Sequence, residues 1–87
     1  MSALDELGDA LAKDVIAAAE EIGDEKFFDK VAKVVGDASP TLLEAYTTAY
    51  RVRMAEARAR RFLEAALKAK RTGGAAPVAP RGSDPAH

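Results

Sequence analysis

Between Pro40 and Gly73 the chain runs for thirty-two residues without a glycine or a proline. Alanine, leucine, arginine, glutamate, lysine and methionine dominate that run, and these are the residues that lose least on entering a helix. The stretch therefore predicts one long helix over about 40–71. Ser39-Pro40 supplies its start, a serine N-cap followed by a proline whose fixed φ suits the first helical position. A chain of 87 residues that commits so much of itself to one helix has little left for anything but shorter helices packed against it.

Two such helices can be read upstream. Ser2-x-x-Asp5 resembles a capping box with aspartate in place of the usual glutamate. Leu4, Leu7, Leu11, Val15, Ala18 and Ile22 then recur three or four residues apart, which predicts a helix over 3–22 stopped by Gly23. Asp24 is placed to cap a second helix over 25–35. Its apolar stripe is Phe27, Val31, Val34 and Val35 with Phe28 beside it, and Gly36 is expected to end it. The fold class is all-α: a small three-helix domain over residues 1–71, followed by a proline- and glycine-bearing tail, 72–87, whose composition cannot build a core and reads as disordered.

At 1.5 Å per residue the helices would be about 30, 17 and 48 Å long. Packed up, down and up, the third would project about 30 Å past the first, beginning near Arg51. The charge reverses at the same place. Residues 1–50 hold eleven carboxylates against four lysines, a net −7, whereas residues 51–71 hold eight basic side chains against two glutamates, a net +6. The expected organisation is thus an acidic body, 1–50, joined to a basic helical arm, 51–71, and such asymmetry points to interaction rather than catalysis.

The helical pattern also changes there. Leu42, Leu43, Tyr46, Ala49, Tyr50 and Met54 share one face suited to the body, and further along that face Arg53, Arg60, Arg61, Glu64 and Lys68 are polar. A second stripe appears on another side, made of Val52, Ala55, Ala59, Phe62, Leu63 and Ala66, with the spacing of a helix–helix seam. In this arrangement the body cannot reach it. Val52, Phe62 and Leu63 are the candidate anchors, Ala55, Ala59 and Ala66 allow close approach, and Arg58, Arg60 and Arg61 would steer a partner and set specificity.

Composition removes most chemical functions. Cysteine is absent and the one histidine, His87, is the last residue, so neither a thiolate zinc site nor a Cys/His nucleophile pair can be assembled. No Gly-rich phosphate loop follows a strand. Neither catalytic residue, cofactor, metal nor small-molecule substrate is expected. The acidic start carries no secretory signal pattern and no run approaches the ~20 apolar residues of a membrane span, so the expected location is the cytoplasm. A basic amphipathic helix can lie on a membrane, but this one is mostly alanine on its apolar side and membrane binding is not expected.

Two partner classes remain. The first is a protein: a second copy of this chain in a homodimer, or another protein that takes this one as an accessory subunit through 51–71. The alternative is sequence-independent binding of nucleic acid by the same basic side chains. Against it stand the repelling charge of residues 1–50, the lack of a stacking aromatic in the arm other than Phe62, and the absence of asparagine and glutamine.

Overall fold

A computed structural model describes residues 2–78 of the chain and contains three helices, α1 (Ala3–Ile22), α2 (Phe27–Ala38) and α3 (Pro40–Thr72). Among the described residues there is no strand. The expected all-α, three-helix class is the observed one, and α3 is a single uninterrupted element of 33 residues. Residues 79–87 of the expected tail lie outside the described residues, and Gly73–Val78 are not helical.

Local chemistry accounts for the boundaries. The Ser2 side chain accepts a hydrogen bond from the Asp5 amide at 3.1 Å, satisfying one of the orphan donors of α1. At the other end Gly23 takes a left-handed conformation, φ 77°, and both its amide and that of Asp24 donate to the Ala19 carbonyl. The second helix begins two residues later than its sequence suggests. Asp24 folds back into a turn, accepting from the Lys26 amide at 2.9 Å and from the Lys30 ammonium at 2.6 Å. Those bonds, the Lys30 ammonium first, hold the Asp24 carboxyl below its ordinary pKa.

Gly36 does not end α2, contrary to expectation. The helix continues to Ala38. What stops it is Pro40, because the residue before a proline is pushed out of the helical region; Ser39 sits extended at φ −157° and ψ 103°. That one residue closes α2 through its amide to the Val35 carbonyl at 2.7 Å. It also opens α3 by accepting from the Leu42 amide at 3.1 Å. Gly36 has a packing role instead: a Cβ there would lie 3.1 Å from Leu43 Cδ2.

The chain divides into two units, Met1–Met54 and Ala55–His87, with α3 contributing to both. In the first, Ala12, Val15 and Tyr46 form the buried centre, surrounded by Leu11, Phe27, Phe28, Val31, Ala32, Leu43, Ala49 and Tyr50. The face that α1 buries is rotated from the one its leucines trace. Gly8, Ala12 and Val15 are buried, whereas Leu7 is 63% exposed and Ile22 is also open to solvent, as is Val34 of the stripe expected on α2. Gly8 explains the rotation. A Cβ on it would come within 2.7 Å of the Ala45 carbonyl carbon and 2.9 Å of the Tyr46 nitrogen, so α1 and α3 approach with backbone almost on backbone. Such contact excludes leucine from the seam and turns Leu7 outward.

Tyr46 is the largest fully buried side chain. Its hydroxyl donates to the Phe28 carbonyl at 3.1 Å. The Phe28 ring lies 4.8 Å from that of Tyr46 and 3.9 Å from that of Tyr50, both nearly parallel, which ties α2 to α3. Desolvation, with smaller contributions from Tyr50 and Asp29, pushes the Tyr46 hydroxyl up to about 12 from its ordinary value of 10.0. The consequence for stability has a definite sign. Below pH 10 both folded and unfolded chains keep the proton; above it the unfolded tyrosine ionises first, so stability falls as pH rises from about 10 to about 12. Thermal melts followed by circular dichroism across that window should show the loss, and Tyr46→Phe should reduce it; an equal loss in the variant would assign it to other groups.

Candidate protein-interaction site

The second unit contains most of the residues expected to bind a partner. Ala55, Arg58, Ala59, Arg60, Arg61, Phe62 and Leu63 are exposed on α3, while Ala66 is half-buried. Phe62 is 38% and Leu63 52% exposed, large values for apolar side chains in a helix interior. Leu67, 43% exposed, extends the same strip by one turn. The sequence reading omitted it, although its place four residues after Leu63 was the available signal. Of the three candidate steering arginines, Arg60 is engaged with Glu56 at 3.1 Å, an exposed i,i+4 pair of the kind that adds little to stability. The corresponding pairing of Glu64 with Lys68 is not among the ion pairs of the described residues.

Four residues assigned to the arm, 51–54, belong to the first unit, and two of them have a defined role there. Arg53 grips Asp9 with two charge-assisted hydrogen bonds, Nε to Oδ1 at 2.7 Å and a terminal nitrogen to Oδ2 at 2.8 Å. This fork joins α1 to α3 and holds the Asp9 carboxyl below its usual pKa, with burial opposing. The other is Val52. The expectation that the body cannot reach the whole apolar stripe fails at this residue, because Val52 borders a groove formed with α1.

That groove has a volume of about 560 Å³. Ala45, Thr48 and Ala49 of α3 contribute small side chains to its lining. Leu4 of α1 and Val52 of α3 supply the bulky apolar surface, and Val52 is 63% exposed. Asp5, Asp9 and Glu44 line the edges, with Thr41 at the start of α3. Sequence reasoning missed it because its residues come from two elements and the small side chains of its lining carry no periodic signal of their own.

No cluster of metal-ligating side chains occurs among the described residues, and no described helix is long and apolar enough to cross a membrane. No protein-family model matches this chain, and comparison with curated proteins and with solved structures likewise gave no match.

Proposed function

We propose that this protein is a non-enzymatic protein–protein interaction module that docks through the basic amphipathic segment 51–71, as a homodimer or as an accessory subunit. The observation that supports the reading is the exposed apolar strip of Phe62, Leu63 and Leu67 on a helix that also carries Arg58, Arg61, Lys68, Lys70 and Arg71. A helix of this kind is marginal in water unless its apolar face is covered. Burying two or three such side chains against a partner contributes about 1.5–3 kcal/mol each before the entropy of association is subtracted.

Phe62→Asp tests it. The substitution is expected to abolish association while leaving the helical circular dichroism and melting of the first unit intact, since Phe62 is outside that unit's core. A variant that sediments as the wild-type chain does would remove the strip from the function.

The exposed basic side chains also support the second reading, sequence-independent nucleic-acid binding. The two differ in salt dependence. Phosphate contacts lose affinity steeply between 50 and 200 mM salt, by about 10³-fold or more for six contacts, and an apolar seam does not. A gel shift that fails at low salt would eliminate nucleic acid.

A further inference from the structure

We infer that the partner is a second copy of this chain, and that the acid-edged groove of the first unit receives helix 55–71 of that copy, running antiparallel to α3. The inference rests on the interaction reading above and names what the strip binds.

Three features of the groove fit that occupant. The small side chains of Ala45, Thr48 and Ala49 in its lining let another helix approach closely. Its apolar surface, Leu4 and Val52, is exposed and of the same character as the strip. Its charge is opposite. Residues 1–54 carry eleven carboxylates against six basic side chains, while helix 55–71 carries six bases against two glutamates. Asp9 is already paired with Arg53, so Asp5 and Glu44 are the carboxylates left to face an incoming base; neither takes part in an ion pair among the described residues.

The sequence of α3 sets the direction. On the receiving helix, apolar Val52 lies eight residues after acidic Glu44; on the incoming one, basic Lys70 and Arg71 lie eight residues after apolar Phe62 and Leu63. Each interval spans about 12 Å. Antiparallel alignment therefore sets Phe62 and Leu63 against Val52 while Lys70 and Arg71 reach Glu44. A parallel alignment would set a base on Val52 and a phenylalanine on Glu44. Spacing agrees: Thr41, Ala45, Thr48 and Val52 border the groove four, three and four residues apart, and in this register the incoming Phe62 and Ala66, four apart, meet Val52 and Thr48. Alternation of four and three is what two helices need to mesh, and the alanines permit a short interaxial distance.

Charge exchange in the full-length chain tests the pairing by sedimentation velocity. One variant carries Asp5→Lys and Glu44→Lys, the other Lys70→Glu and Arg71→Glu, with Glu44→Lys alone as a milder form because Asp5 also lies in the first turn of α1. At low salt each variant alone is expected to dissociate at concentrations about tenfold or more above wild type. Their equimolar mixture is expected to recover wild-type association, since in a closed dimer both groove–helix contacts become attractive again. If each variant associates as wild type does, or if mixing brings no recovery, the groove is not the receptor, and the interaction reading survives on the Phe62→Asp result alone. A wild-type chain that is monomeric at every concentration would overturn the pairing of two copies and leave only the accessory-subunit form of the interaction reading.

Discussion

Gly8→Ala is expected to destabilise the protein by about 2 kcal/mol even though alanine is the better helix former. In an exposed helix interior that exchange would gain about 1 kcal/mol. Here the new methyl would lie 2.7 Å from the Ala45 carbonyl carbon and 2.8 Å from its Cβ. Overpacking of this kind costs about 1–3 kcal/mol and occasionally more. The upper part of that range applies because the opposing atoms are backbone and cannot rotate aside. Relief would require α1 and α3 to separate, which would also stretch the Arg53–Asp9 fork and loosen the cover over Tyr46. For a domain of this size the loss corresponds to a fall of about 10 °C in melting temperature. Gly8→Val, with a branched side chain at the same point, should fall further. An alanine variant that melts at or above wild type would mean the crossing is looser than the structure has it.

Tyr46→Ala is expected to have a larger effect. Removing a large buried ring costs about 3–5 kcal/mol through lost transfer energy and the cavity left behind. Stacking with Phe28 and the hydroxyl's bond to the Phe28 carbonyl are lost with it. A protein of this length has a total stability of about 4–13 kcal/mol, so the variant should be largely unfolded at 37 °C and show weak helical circular dichroism. Tyr46→Phe keeps the ring and should lose only about 1 kcal/mol, the net contribution of one hydrogen bond. Equal effects of the two substitutions would place the stabilisation in the hydroxyl instead of the ring.

These two residues also mark where the sequence was legible and where it was not. Helix starts and stops that depend on a single side chain could be read directly: Ser2, Gly23 and the Ser39-Pro40 pair act as their chemistry requires. Tyr46 was visible as a core position from its spacing with Leu42, Leu43 and Tyr50. Gly8 was not, because a glycine inside a helix looks like a weakness until the neighbouring backbone is seen, and the leucine stripe drew the buried face of α1 toward Leu7. Gly36 was misread for the related reason that a stop and a close approach use the same residue. The candidate site was legible where it is continuous in sequence. Phe62, Leu63 and the arginines stand out on a helix without glycine or proline. The groove was invisible because Leu4 and Asp5 meet Glu44 and Val52 only after folding, and no local pattern joins residues forty apart.

The charge reversal gains a physical role from this arrangement. In the proposed dimer an acidic first unit and a basic helix within one chain would attract each other between copies at long range and so raise the encounter rate. The proposed apolar contacts of Phe62, Leu63 and Val52 would then slow dissociation. Salt should weaken the first effect and leave the second, because rim charges are screened over about 10 Å at 0.1 M ionic strength.

Sedimentation velocity of the wild-type chain, over a range of concentrations at low and high salt, tests the proposed function most directly. A reversible, concentration-dependent dimer is expected, somewhat weaker at high salt but persisting there. A chain that remains monomeric at every concentration and both salt levels would show that segment 51–71 does not join two copies.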